Sequence, residues 1–222
     1  MSHIKNLADD LIVIIDYGSG NLRSAEKAFA RQANGRPVLV TGAPDHLRQA
    51  AHIVLPGVGA FGDCAQGLRA IDGMIEALQE EVIHKAKPFL GICVGMQLMC
   101  RHGLERAAPD APHNGLGWFA GAVRPLNVPP HLKVPHMGWN EISADKSHHV
   151  IGPLDGEDVY FVHGFGVEMD ADAQSDIAAT ADYGGAVTAA LARDNMIGVQ
   201  FHPEKSQAAG LASIERFLEW RP

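Results

Sequence analysis

Three residues in two short motifs have the side chains that thiol-based cleavage of an amide requires. Cys93 stands between two glycines in the segment Gly91-Ile-Cys-Val-Gly95. Far downstream, His202 and Glu204 belong to the segment Gly198-Val-Gln-Phe-His-Pro-Glu204. A cysteine attacks as the thiolate, which needs a base, and a histidine base needs a partner that orients its ring. These residue types together indicate covalent catalysis by cysteine.

The residues around Cys93 predict a tight turn from a strand into a helix. An apolar strand is predicted over Pro88–Ile92, and a helix over Val94–Arg101. This is the nucleophile-elbow pattern with cysteine in the place of serine, and the dipole at the helix N-terminus favours a thiolate. A small buried hydrophobe is the alternative role for a cysteine, and we assign it to Cys64 and Cys100, which lack this setting.

His202 follows the last apolar strand, which is predicted over Met196–Phe201. Pro203 favours an extended or turn conformation, in which residues two apart point the same way, so Glu204 can accept the second ring proton of His202. A surface His and Glu after a strand is the alternative. Sites in open parallel sheets lie at the carboxyl ends of strands, so His202 and Cys93 would meet if their strands are parallel neighbours.

A glycine-rich turn offers the third part of such a site. The strand His52–Pro56 runs into Gly57, Val58 and Gly59. Backbone N–H groups of this turn, together with that of Val94, could form an oxyanion hole. An ordinary tight turn is the alternative interpretation.

The elements that must position these residues alternate between strand and helix in the first half of the chain. In chain order, they are predicted as strand Leu11–Asp16, helix Asn21–Ala33, strand Pro37–Thr41, helix Asp45–Ala51, strand His52–Pro56 and helix Leu68–Lys85. Such alternation predicts a mostly parallel sheet with helices on both faces.

The second half of the chain reads as short strands and one final helix, Gln207–Trp220. The strands, which we interpret as antiparallel additions to the same sheet, are Gly121–Leu126, Trp139–Ile142, Val159–Val162, Ile177–Thr180 and Thr188–Ala192. We therefore predict one α/β domain over residues 1–222, in which residues 1–10 form a flexible N-terminal extension.

Composition excludes several classes of function. The 222 residues carry a net charge of −8 and no Lys/Arg cluster, which argues against nucleic-acid binding. No targeting signal or membrane-spanning run is visible, and three cysteines favour a reducing, cytoplasmic setting. The 12 histidines are scattered without metal-ligand spacing, and no nucleotide fingerprint occurs. We expect no metal and no cofactor.

The two catalytic motifs, extended to Gly91–Leu98 and Gly198–Ser206, resemble those of the class I (triad) glutamine amidotransferases. The finer resemblance is to the glutaminase subunits of imidazole glycerol phosphate synthase, an enzyme of histidine biosynthesis. Four segments carry it: Asp16–Ser24, Pro56–Gly62, Lys133-Val-Pro-His-Met-Gly-Trp-Asn140 and Tyr160-Phe-Val-His163. The resemblance covers nearly the whole chain and implies a flavodoxin-like fold.

The resemblance implies a role for each matching residue. Cys93 would attack the carboxamide of glutamine, form a glutamyl thioester and release ammonia, while His202 moves protons and Glu204 orients it. The Gly57–Gly59 turn would be the oxyanion strand. The residues expected to hold glutamine are Gln97, His163, Gly164 and Phe165.

The resemblance also implies a partner, a (β/α)₈-barrel cyclase that forms a heterodimer with this chain. Ammonia would cross to it without meeting water, and the partner would make imidazole glycerol phosphate and aminoimidazole-carboxamide ribonucleotide. The residues expected to face the cyclase are Asn21, Met137, Trp139, Asn140, Tyr160 and Lys205.

The chain departs from the family pattern at Gly164 and Phe165, where Ser or Thr and then Tyr are usual. Backbone contacts to glutamine would survive this change, and hydroxyl contacts would not. Two alternatives compete with the first hypothesis: a class I amidotransferase that serves another synthase, and a non-catalytic module that retains the fold.

Overall fold

A computed structural model of the chain describes residues 10–108, 110–145 and 147–222. Of the predicted extension over residues 1–10, only Asp10 belongs to the described residues. The strands are β1 (Leu11–Ile15), β2 (Val38–Thr41), β3 (Ala50–Gly57), β4 (Phe89–Cys93), β5 (Cys100–Ala108), β6 (Ala111–Asn114), β7 (Phe119–Pro125), β8 (His136–Ala144), β9 (Asp158–His163), β10 (Phe165–Met169), β11 (Ile177–Asp182), β12 (Ala186–Arg193) and β13 (Met196–Val199). The α-helices are α1 (Leu22–Gln32), α2 (Asp45–Gln49), α3 (Phe61–Arg69), α4 (Met74–Leu78), α5 (Val94–Leu98) and α6 (Gln207–Glu219).

A nine-stranded sheet in the order β2-β1-β3-β4-β13-β12-β11-β8-β9 forms the centre of the molecule. The first five of these strands run parallel to one another. Ile12, Val13, Ile14 and Ile15 of β1 are all fully buried. Because successive side chains of a strand point to opposite faces, both faces of the sheet are covered at β1. The predicted α/β class, with a mostly parallel centre flanked by helices, is confirmed.

The antiparallel part of the sheet comes from the second half of the chain, as predicted. Strands β12, β11, β8 and β9 follow β13 in antiparallel order. The prediction is wrong for the strand over Gly121–Leu126, because β7 belongs to a separate four-stranded sheet in the order β10-β7-β5-β6. This second sheet packs beside α3, with Phe61 under Gly103, where an added Cβ would lie 2.4 Å from the Phe61 ring.

Two predicted helices differ from those in the structure. The helix predicted over Val94–Arg101 ends at Leu98, and β5 begins at Cys100. The helix predicted over Leu68–Lys85 is interrupted after Arg69. Gly73, with φ +76°, precedes α4, which continues as a π-helical segment to His84. A left-handed residue cannot continue a right-handed helix, so the chain turns at Gly73.

Strands β4 and β13 are parallel neighbours, with Ile92 opposite Val199. Their carboxyl ends therefore carry Cys93 and the segment leading to His202 to one edge of the sheet. Helix α5 packs closely against β13, since a Cβ on Gly198 would lie 2.6 Å from Met96 Cγ. None of the helices in the described ranges is long and apolar enough to cross a membrane.

Candidate active site

Cys93 occupies a strained turn that only its glycine neighbours permit. Its backbone has φ +55° and ψ −112°, which is unusual for a residue with a side chain. A Cβ on Gly95 would lie 1.8 Å from the carbonyl oxygen of Leu55, and one on Gly91 would lie 2.7 Å from Met99 Sδ. The predicted strand–turn–helix geometry is therefore present, and both glycines are required by close backbone packing.

His202 and Glu204 form a buried pair. His202 Nδ1 lies 2.8 Å from Glu204 Oε1, and the two side chains are 2% and 4% exposed. The backbone N–H of His202 donates to Tyr160 O at 2.9 Å, and Ser206 Oγ donates to His202 O at 2.7 Å. These contacts from β9 and from the start of α6 hold the histidine in place beyond β13.

The second ring nitrogen of His202 is available to the thiol. Burial lowers the pKa of His202, but the interactions with Cys93 and Glu204 outweigh burial and raise it to about 9. Glu204 occupies Nδ1, so Nε2 is the nitrogen that interacts with Cys93. Nε2 is buried and makes no regular hydrogen bond within the described residues. The arrangement favours an imidazolium at His202, with Nε2 next to the Cys93 sulfur and able to exchange its proton.

A pocket of about 390 Å³ opens beside this pair. Its wall contains Cys93 and His202, two of the catalytic candidates. It also contains seven residues that the sequence suggested for the oxyanion hole or for substrate: Val58, Gly59, Val94, Gln97, His163, Gly164 and Phe165. Gly57 lies behind the wall, where a Cβ would meet Gly95 N at 2.7 Å. The geometry thus gives Gly57 a packing role and leaves the pocket-facing part of the turn to Val58 and Gly59.

The sequence interpretation missed two polar side chains, one in the wall of this pocket and one buried next to Cys93. Glu105 of β5 lines it, and Glu105 Oε2 accepts the backbone N–H of Phe61 at 2.9 Å. Gln200 is fully buried next to Cys93. A glutamine inside an apolar strand motif was a usable signal for Gln200. Glu105 gave none, because β5 was not recognised as a strand.

A third unpredicted contact is a hydrogen bond from Cys64 to the backbone of the Gly57–Gly59 turn. Cys64 Sγ donates to Val58 O at 3.4 Å, and burial raises the pKa of the Cys64 thiol. Cys64 is therefore a neutral thiol that contacts the turn backbone, which is more than the inert role predicted for it.

The residues suggested for a partner surface include Lys205, which lines the pocket. Trp139 and Tyr160 meet edge to face with ring centroids 5.9 Å apart, and Lys205 Nζ lies 5.8 Å from the centre of the Tyr160 ring. Met137 is 61% exposed and Trp139 47% exposed. Asn140 Nδ2 donates to Asp182 O at 2.9 Å. The remaining residue, Asn21, is exposed at the start of α1.

Comparison with known proteins decides the family, because residues 13–219 match the family described as glutamine amidotransferase class-I. The chain belongs to the class-I glutamine amidotransferase family. It is 52% identical to imidazole glycerol phosphate synthase subunit HisH of Mesorhizobium japonicum over 95% of this chain and 99% of that protein. It is 51% identical to the HisH subunit of Rhodopseudomonas palustris, with the same coverage.

Solved structures of low sequence identity share the fold. The structure of PurLQS from Thermotoga maritima matches with a TM-score of 0.68 and 18% identity, over 94% of this chain and 95% of that chain. The amidotransferase fold predicted from the motifs is therefore confirmed, as is the resemblance to the glutaminase subunits of imidazole glycerol phosphate synthase. As a class-I glutamine amidotransferase the chain is an enzyme, so the interpretation as a non-catalytic module is wrong.

Proposed function

We propose that this amidotransferase hydrolyses L-glutamine to glutamate and ammonia with Cys93, His202 and Glu204, and passes the ammonia to a cyclase subunit in histidine biosynthesis. One observation carries the proposal. The carboxyl ends of the neighbouring parallel strands β4 and β13 bring a strained cysteine and a buried His–Glu pair to the same pocket.

The first half of the reaction forms a thioester. The Cys93 thiolate attacks the carboxamide carbon of glutamine, and the N–H groups of Val94 and of the Val58–Gly59 turn stabilise the oxyanion. His202 Nε2 then gives its proton to the leaving nitrogen, so the C–N bond breaks and ammonia departs.

The second half restores the enzyme. His202, now neutral, takes a proton from water, and the resulting hydroxide attacks the thioester carbon. The C–S bond breaks, glutamate leaves and Cys93 returns as the thiolate. Glu204 accepts a hydrogen bond from the Nδ1–H of His202 throughout, which keeps Nε2 directed at the reacting atoms.

The pocket suits a small ligand with an α-ammonium group. Its volume of about 390 Å³ matches a ligand of few atoms, and Glu105 offers a carboxylate for an α-ammonium group. The backbone at His163–Phe165 and the side chain of Gln97 form the rest of the polar wall. Because Gly164 and Phe165 lack hydroxyls at these positions, recognition there depends on backbone groups.

The exposed apolar side chains support a partner at the pocket mouth. The large apolar residues exposed in the described part of the chain are Val58, Val134, Met137 and Trp139. Val58 lines the pocket, Val134 contacts the position of Gly164, and Met137 pairs across the strands with Val162, which also lines the pocket. We call these four residues the apolar rim. A subunit that covers the rim would receive ammonia before it meets water and becomes protonated.

The names of the relatives support another subunit of imidazole glycerol phosphate synthase as that partner. In this proposal the partner is a (β/α)₈-barrel cyclase. The partner would use ammonia to make imidazole glycerol phosphate and aminoimidazole-carboxamide ribonucleotide. Asn21, Asn140, Tyr160 and Lys205 would add polar contacts around the rim.

The test is covalent labelling of the reconstituted complex with a diazo analogue of glutamine, followed by peptide mass spectrometry. We expect one label per chain, on Cys93, and none on Cys64 or Cys100, which serve as internal controls. Labelling should require a productive site, so the cyclase and its nucleotide ligand are included. Absence of label from Cys93 under these conditions would refute the proposal.

A further inference from the structure

The carbonyl oxygen of Phe165 fixes the orientation of the buried side-chain amide of Gln97, and through it that of Gln200. It accepts a hydrogen bond from Gln97 Nε2 at 3.0 Å, and His163 Nδ1 lies 2.9 Å away. A carbonyl oxygen can only accept, so Gln97 must present its NH₂ group there, and His163 must carry its proton on Nδ1. The orientation of Gln97 therefore follows from the backbone.

The orientation of Gln97 in turn dictates that of Gln200. Gln97 Nε2 uses its second hydrogen on Gln200 Oε1, also at 3.0 Å. If Gln200 were rotated by half a turn, two NH₂ groups would face each other. Gln97 is 3% exposed and Gln200 fully buried, so water cannot rescue misdirected donors. Gln200 Oε1 must therefore face Gln97, and its NH₂ group must point the other way.

The NH₂ group of Gln200 points at the reacting sulfur. Gln200 Nε2 donates to Cys93 Sγ at 3.7 Å, a distance suited to a sulfur acceptor. We propose that Gln200 is a further catalytic residue, which donates an N–H to the Cys93 thiolate and stabilises it before attack. The role in catalysis rests on the proposed glutaminase function, whereas the contact with the thiolate does not.

Three titratable side chains lie near this sulfur. His202 interacts with it from the segment after β13, and Tyr17 and Cys64 lie close enough for their charges to matter. Gln200, by contrast, is a side chain that does not titrate. Replacing it leaves the three titratable neighbours in place, so a change in thiolate formation is assigned to the lost side-chain amide and not to a nearby charge.

The experiment measures the rate at which iodoacetamide alkylates Cys93 across a pH series, with the intact complex and with mass spectrometry to separate Cys93 from the other cysteines. Gln200→Met keeps the length of the side chain and removes the donor, and Gln200→Leu is the second donor-free variant. Thr188→Val is the matched control, because it deletes a buried hydroxyl on the neighbouring strand β12 that donates to Val167 O at 2.9 Å. Thermal unfolding of each variant verifies that it is folded.

We expect the pH at half-maximal alkylation to rise by about 1 unit in both Gln200 variants, since a hydrogen bond to a charged acceptor changes an equilibrium by roughly tenfold. The control should keep the original midpoint. The loss in kcat/KM for glutamine should be greatest below the midpoint and should fade above it.

An unchanged midpoint in both folded Gln200 variants would overturn the inference. This readout does not involve glutamine. If the diazo analogue labels Cys93 but the midpoint does not move, only the role of Gln200 fails. If the midpoint moves but the analogue does not react, the glutaminase proposal fails and the contact stands.

Discussion

Replacing Glu204 by glutamine isolates the charge of the orienting group. In the unsubstituted chain, His202 Nδ1 lies 2.8 Å from Glu204 Oε1. In Glu204→Gln the amide oxygen can still accept this hydrogen bond. The other carboxylate oxygen is buried and makes no regular hydrogen bond within the described residues, so no further contact dictates which way the amide turns. The protonated histidine will select the oxygen, and the ring keeps its orientation.

The magnitude follows from exchanging a charged acceptor for a neutral one. Charged hydrogen bonds are worth about 1.5–3 kcal/mol and neutral ones about 1 kcal/mol, so the loss is roughly 0.5–2 kcal/mol, or about 2- to 30-fold in kcat/KM. The same loss lowers the pKa of His202, which stands at about 9 because Cys93 and Glu204 outweigh the effect of burial. The alkaline limb of the pH profile should move down by about 1 unit.

The assay is glutamine hydrolysis by the complex across a pH series, with Glu215→Gln on the exposed side of α6 as the control. The control should match the unsubstituted chain. An alkaline limb that stays in place in Glu204→Gln would show that the carboxylate does not hold the imidazolium.

Two further predictions concern stability. Burial is the main cause that lowers the pKa of His52 to about 3 and the pKa values of His136 and His163 to about 4, from an ordinary 6.5. The pKa values of these three histidines are lower in the folded chain than in the unfolded chain, so their contribution to stability is complete above pH 6.5 and is lost as the pH falls toward 4. The free energy of unfolding, measured with urea, should therefore decline by up to about 4 kcal/mol per pH unit in this range. A free energy of unfolding that does not change between pH 6.5 and 4 would contradict this prediction. Gly95→Ala should lower the free energy of unfolding by about 3 kcal/mol or prevent folding, because the added Cβ would lie 1.8 Å from a carbonyl oxygen. Gly164→Ala should change the melting temperature little, because a Cβ there would make only an ordinary contact, 3.5 Å from Val134 Cγ1. Equal melting temperatures for the two alanine variants would argue against the close packing of the turn.

The central sheet could be predicted because its information is local. A run such as Leu11–Ile15, which is short, rich in β-branched residues and apolar at every position, indicates a strand covered on both faces. The turn at Cys93 is also encoded locally, since glycine at positions 91 and 95 indicates that neighbouring atoms leave no room for a side chain there. Motifs of this kind are readable without knowing what lies far away in the chain.

The second sheet and the inner polar contacts depend on distant residues, and the sequence interpretation missed them. Strand β5 has charged and polar residues on its exposed positions and begins just after α5, so its pattern was indistinguishable from a continued helix. Gln97 and Gln200 lie 103 residues apart and meet only in the folded chain. The predicted catalytic, oxyanion, substrate and partner roles remain predictions, although the pocket brings together most of the residues named for chemistry.

One comparison tests whether Cys93 is the nucleophile of a separate ammonia-producing site. In the complex with the cyclase, Cys93→Ala should abolish product formation from glutamine and leave product formation from added ammonium salts at its original rate. Glutamine-dependent synthesis that survives the substitution, or loss of both activities together in a folded complex, would contradict the account.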